Sequence, residues 1–151
     1  MSREYFIEVA TISEVSGDKA RVAVGSMVTD FLPVFQACAN SFAISFSPIR
    51  VGEQVLVLPV RGSLNSGVIL RGLYQSAHKE EPTDKKVRVS FEDGVSMSYD
   101  TASSTLEISA PKQINITCGQ LNLKGDLEIG GSIHATGRII DEGGNTPHHS
   151  H

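Results

Sequence analysis

The chain has 151 residues, a formal net charge of −4, ordinary hydrophobic content and no tryptophan, which suits one domain or a small domain with an appendage. No apolar run reaches the roughly 18 residues of a membrane-spanning helix, and the start MSREYFIEVA lacks the apolar core of a secretory signal. Residues 1–86 hold nine Lys/Arg and nine Asp/Glu, whereas 87–151 hold four and eight, so the acidic C-terminal part argues against binding to phosphate backbones or anionic membrane surfaces.

In chain order, Val9–Val15, Lys19–Val24, Leu32–Gln36, Gln54–Val60 and Gly67–Leu73 read as strands. Each is a short run rich in Val, Ile and Leu, bounded by Gly, Asp, Asn, Ser or Pro. Ser16-Gly17-Asp18 marks a hairpin, and Ala37–Phe46 fits either a short helix or an irregular loop. Five strands within residues 1–75 predict a Greek-key barrel of the OB type. Residues 76–86 (SAHKEEPTDKK from Ser76) are polar and contain proline, so they read as a linker with a solvated His78.

The texture changes in residues 87–140. Val87–Phe91, Val95–Tyr99, Thr105–Ile108, Gln113–Thr117, Leu121–Leu123, Leu127–Ile129 and Ser132–Ala135 are brief alternating runs punctuated by glycine. Ile114, Ile116 and Cys118 share one face; the parity flips across Gly119-Gln120, and Leu121, Leu123, Leu127, Ile129 and Ile133 share the other register. His134 falls on the solvent side. Such a ribbon buries too little apolar surface by itself to offset the entropy of ordering it, and its edges invite pairing. Three identical copies wrapped about an axis solve both problems, so an intertwined homotrimer is expected. No fixed repeat period favours a single-chain solenoid.

The segment 141–151 closes with Asn145-Thr146-Pro147-His148-His149-Ser150-His151. In an extended strand His149 and His151 point one way and His148 the other. Three copies on an axis would converge six imidazoles, an octahedral set better suited to iron, nickel or copper than to tetrahedral zinc or oxygen-seeking calcium and magnesium. A solvated tail or an expression scar is the plainer reading of such an end. Cys38 and Cys118 fit no metal or redox spacing and are expected to be buried free thiols. No GxSxG, HExxH or phosphate-cradling glycine loop is present, so no catalytic residues and no enzyme activity are expected.

Val51-Gly52-Glu53-Gln54-Val55-Leu56-Val57-Leu58 followed by Gly67-Val68-Ile69-Leu70-Arg71-Gly72-Leu73 resembles the N-terminal OB domain of the phage baseplate assembly protein V family. Phe91-Glu92-Asp93-Gly94, the run Gly125–Ile133 and the closing His149-Ser150-His151 resemble its β-helical spike and tip. The resemblance covers nearly the whole chain. It implies an all-β homotrimer in the virion, at the tip of a contractile tail. An OB-fold barrel would attach to the baseplate hub, and a triple-stranded β-helix spike would end in an apex where His149 and His151 of three chains hold one structural iron ion. It also implies mechanical piercing of the bacterial outer membrane, in an infectious phage or a phage-derived bacteriocin. The rivals are an OB-fold module for oligonucleotide or glycan, which needs exposed aromatic or basic residues on its barrel, and a His-metal enzyme, which needs an open coordination position. Phe31, Phe35, Phe42 and Phe46 are the one aromatic cluster, and core packing or hub contact accounts for them equally well.

Overall fold

The computed structural model describes residues 6–76 and 85–140, and every regular element in them is a β-strand. The chain divides into two compact units, 1–84 and 85–151. Most of the expected linker, residues 77–84, and the whole segment 141–151 with His148, His149 and His151 lie outside the described residues.

The N-terminal unit contains β1 (Glu8–Ser16), β2 (Lys19–Val24), β3 (Met27–Val28), β4 (Leu32–Pro33), β5 (Gln54–Val60) and β6 (Ser63–Leu70). The β1–β2 hairpin closes through Gly17-Asp18, with Ser16 opposite Lys19 and Gly17 at a φ of 60°. A positive φ at the first loop position matches the primed turns whose twist suits adjoining strands. β1 then serves two neighbours. Its C-terminal half pairs with β2 and its N-terminal half with β5. The register slips between Ile12 and Glu14, where the Ile12 amide turns to the Glu53 carbonyl at 2.9 Å. Such a bulge bends the strand and lets the sheet curl.

Curling brings the ends of the sheet together. β4 pairs with β2 on one side, while Val34, the residue after β4, forms a parallel bridge to Ile69 of β6. The Phe35 amide donates to the Ile69 carbonyl at 2.9 Å. The pairings therefore run β1–β2–β4–β6–β5–β1 around a ring, consistent with an OB-like barrel. Its inside is the core: Ala10, Ile12, Ala20, Val22, Leu32, Ile49, Val55, Val57, Leu64 and Ile69 are all buried. Buried Thr29 is satisfied locally; its Oγ1 accepts from the Val22 amide and donates to the Asp30 carbonyl.

Several expected limits shift. β6 begins at Ser63 and ends at Leu70, because Arg61-Gly62 makes a two-residue turn from Val60 to Ser63 with both φ values positive. The third expected strand shrinks to Leu32–Pro33, and the sequence reading passed over β3. Ala37–Phe46 is an irregular loop and not a helix.

The C-terminal unit holds an antiparallel meander of β7 (Lys86–Ser90), β8 (Ser96–Asp100) and β9 (Thr105–Ser109). The later expected strands, Gln113–Thr117, Leu121–Leu123, Leu127–Ile129 and Ser132–Ala135, form no strand pairs among the described residues. A strand exists by its neighbour's hydrogen bonds, and the described residues offer these segments none.

Gly67 shows how closely β5 and β6 approach each other. A Cβ there would lie 2.9 Å from the Leu58 carbonyl oxygen and 3.1 Å from that of Leu64. Neither backbone atom can yield without moving its strand. Gly67→Ala is expected to lower the stability of the N-terminal unit by about 1–3 kcal/mol, read as a lower denaturant midpoint for that unit; an unchanged midpoint would show that β5 and β6 separate freely.

Candidate functional site

Two surfaces stand out, one in each unit. In the C-terminal unit, strand alternation sorts the meander into two faces. Val89, Met97 and Ile108 stand opposite one another across the three strands, as do Val87, Tyr99 and Leu106. All six lie on one face, and all six are exposed. The other face is polar: Arg88, Ser98 and Glu107 form one row, and Lys86 Nζ reaches Glu107 Oε2 at 3.9 Å. Ser98, at 7% exposure, is the one buried residue among the described residues of this unit. Among those residues the unit thus has paired strands and no buried apolar side chain.

Beyond β9 the same pattern continues in extended chain. Gln113 Nε2 donates to Asn115 Oδ1 at 2.6 Å, and Gln120 Nε2 to Asn122 Oδ1 at 2.9 Å. Where a backbone is extended, side chains two apart share a side and can bond. The odd-numbered 113 and 115 are thus on the polar side before Gly119, and the even-numbered 120 and 122 after it, as the parity flip predicts. Ile114, Ile116, Leu121, Leu123, Leu127, Ile129 and Ile133 are all exposed. Cys118, expected to be buried, is exposed, as is Cys38. Each sits on a segment that no other part of the described chain covers. His134 is exposed, but so is its neighbour Ile133, so exposure does not separate the two faces here.

In the N-terminal unit, residues 36–48 form a finger ordered by its own hydrogen bonds. The Ser45 amide donates to the Cys38 carbonyl at 2.8 Å, and the Cys38 amide to Ser45 Oγ at 2.9 Å. At the tip Asn40 Oδ1 accepts from the amides of Phe42 and Ala43. The base is clamped by Arg71. Its guanidinium forms a two-pronged bond to the Glu53 carboxylate, at 2.8 Å from Nε and 2.6 Å from Nη2, and donates to the carbonyls of Ser47 and Pro48 at 2.8 Å each. Forked Arg–carboxylate bonding fixes direction as well as distance. The clamp holds out a tip on which Phe42 is 97% and Ile44 85% exposed, with Phe35 and Phe46 exposed beside them.

Core packing therefore does not account for Phe35, Phe42 and Phe46. Phe31 alone is partly covered, with the Arg21 guanidinium 4.6 Å from its ring centre. The sequence signal for this surface was available: residues 31–49 contain four phenylalanines and no charged residue. Aromatic exposure is one requirement of a nucleic-acid module, but a basic track is the other, and this stretch has none.

Among the described residues no three His, Cys, Asp or Glu side chains gather as a metal site. His149 and His151, the expected ligands, lie outside those residues.

Arg71→Ala removes four charge-assisted donors from the finger base, each worth about 1.5–3 kcal/mol when intact and shielded. Amide exchange at Cys38, Asn40 and Ser45 is expected to accelerate about tenfold or more while the β1–β5 amides keep their protection. Equal acceleration throughout the barrel would make Arg71 a global stabiliser and not a clamp.

No family model matches the chain. The chain is similar to a protein named "Spike protein" from Escherichia phage P2, at 29% identity over 106 residues, which is 70% of this chain and 50% of the phage protein. The chain thus spans about half the length of the curated relative it matches.

Proposed function

We propose that the chain is the structural spike at the tip of a contractile phage tail, a homotrimer that breaches the bacterial outer membrane by force and not by catalysis. The carrying observation is the exposed apolar face of the C-terminal meander, Val87, Val89, Met97, Tyr99, Leu106 and Ile108, with a polar face on its other side. Three copies about an axis turn these faces inward and leave the Lys86–Glu107 face to water. The bare strips from Ile114 to Ile133 then find strand partners in neighbouring chains, giving a triple-stranded β-helix. The N-terminal ring of pairings supports an OB-fold barrel, which in this reading joins the spike to the hub protein of the baseplate. The likeness to a phage spike supports a virion location and a structural, non-enzymatic role.

At the apex we place one structural metal ion per trimer, iron, held by His149 and His151 of the three chains. The donor set fits: neutral imidazoles suit iron, and a sphere filled by six nitrogens leaves no position for a substrate. The ion would tie together three chain ends where the load falls. The ligands must be neutral, so acid releases the metal as the histidines protonate, around pH ~6 or below. Elemental analysis of protein purified without a nickel column is expected to find iron at about one atom per three chains, following from six ligands per ion. It should be lost in the double variant His149→Ala, His151→Ala and kept in His148→Ala. Metal retained in the double variant means other ligands.

The apolar face has a sharper test. In an isolated chain Met97 and Ile108 are surface residues, and Lys there would change stability by less than about 0.5 kcal/mol. Around a threefold axis Met97→Lys with Ile108→Lys buries like charges together. Sedimentation of the double variant is expected to show dissociated chains; a variant that sediments as the parent does would mean this face is not at the axis. For the biological role, antibodies to the chain should label the tip of contractile tails in electron micrographs, and labelling on the sheath or capsid would contradict it.

A further inference from the structure

The meander of the C-terminal unit ends in two open strand edges, one along β7 and one along β9. Each strand contributes five residues, paired row by row from Lys86–Asp100–Thr105 to Ser90–Ser96–Ser109, so the two edges are equal in length. The Thr101 amide donates to the Lys85 carbonyl and the Phe91 amide to the Val95 carbonyl. Bonded and non-bonded pairs alternate along an antiparallel ladder. Val87 and Val89 therefore turn their backbone groups to β8, while Lys86, Arg88 and Ser90 turn theirs outward. By the same alternation Leu106 and Ile108 carry the outward groups of β9. The edges also differ in charge. β7 carries Lys86 and Arg88, and β9 carries Glu107, all on the polar face. Lys86 already reaches Glu107 within the chain, whereas Arg88 has no ion pair among the described residues.

We propose that β9 of one copy pairs in parallel with β7 of the next, with Glu107 beside the next copy's Arg88, so that three meanders close into one barrel; this rests on the trimeric reading above. Keeping the apolar face continuous across a joint leaves three ways to join two copies edge to edge. Antiparallel pairing of β7 with β7, or of β9 with β9, relates the copies by a twofold axis. In the centred register it sets Arg88 opposite Arg88, or Glu107 opposite Glu107, and like charges directly opposite are destabilising. The third joint is β9 with β7, and it is parallel. Leu106 then lies opposite Val87 and bonds to Lys86 and Arg88 on either side of it, while Ile108 lies opposite Val89 and bonds to Arg88 and Ser90. Apolar rows run on from copy to copy, and Glu107 meets Arg88 as an opposite charge. The occupant is a second copy because the strand that matches each edge in length, backbone phase and charge is the chain's own other edge. A joint between unlike edges is heterologous and closes into a ring under rotation. Rotation about an axis along the strands keeps their directions parallel, as the joint requires, and closure leaves no edge exposed.

The test uses the full chain with Cys38→Ser and Cys118→Ser, both at exposed positions, as parent, and adds Arg88→Cys with Glu107→Cys. Within one chain positions 88 and 107 are two strand spacings apart, about 9.5 Å, and a disulfide needs Cα atoms within about 7 Å. Across the proposed joint they are neighbours, about 4.8 Å apart. Native masses of parent and variant are measured first. The variant is then oxidised, run on a denaturing gel without reductant and digested for mass spectrometry. The expected result is a trimeric mass, a covalent trimer and a disulfide joining position 88 of one chain to 107 of another. Arg88→Cys and Glu107→Cys placed singly should give no covalent dimer; a dimer from either would mean that like edges meet, and overturns the joint. A trimer with no link between positions 88 and 107 also overturns it and leaves the spike reading standing. Should the double cysteine variant lose a trimer that its parent forms, the swap Arg88→Glu with Glu107→Arg is measured in its place: a trimeric mass is expected, and a monomeric one overturns the joint. A monomeric parent removes the trimeric reading, and this joint with it.

Discussion

An apolar sheet face stays in water only at considerable cost, and the C-terminal unit presents one that the described residues of that unit leave uncovered. β7, β8 and β9 are paired, yet Ser98 is the sole buried residue among the described residues 85–140. Burying a side chain such as Val, Leu, Ile or Met contributes about 1.5–3 kcal/mol. Five of these and Tyr99 on one meander, and seven more along the segment that follows, are exposed among the described residues. The proposed trimer would cover them: copies set face to face about an axis would make a stiff rod, which suits the proposed force-transmitting part.

The N-terminal unit obeys a different rule. Its ring of pairings encloses a core of its own, from Ala10 to Ile69; the bulge at Ile12 bends β1, and the Val34–Ile69 bridge joins the two ends of the sheet. It offers surfaces for attachment instead of depending on them for a core. The Arg71 clamp is the clearest instance. Its four hydrogen bonds hold a loop of Phe, Ile, Ala and Ser in a shape that its own apolar content would not select in water.

Much of this was legible in the residues, for reasons that differ by element. The limits of β2 and β5 match the sequence reading because Lys19–Val24 and Gln54–Val60 are unbroken runs bounded by turn formers. The parity flip at Gly119 was legible because a period of two survives any tertiary context, and the Gln113–Asn115 and Gln120–Asn122 bonds display it. Exposure was not legible. Alternation says which side chains share a face and not whether anything lies against it, so Cys38 and Cys118 were expected inside and are outside. Phe35, Phe42 and Phe46 were ambiguous for the same reason. The clamp joins positions 53 and 71, far apart in sequence, and no local pattern announces such a pair. The strands expected after residue 110 show the complementary limit: their alternation is present in the sequence, but pairing requires a neighbour, and the described residues supply none.

The central claim is that the C-terminal faces are covered by two further copies of the same chain. Native mass spectrometry of the full chain measures that directly. The account predicts a particle of three times the 16.2 kDa chain mass, persisting on dilution because separation requires unwinding interleaved strands. A stable, soluble monomer would contradict it, since the face carried by Val87, Val89, Met97, Tyr99, Leu106 and Ile108 would then have no need of cover.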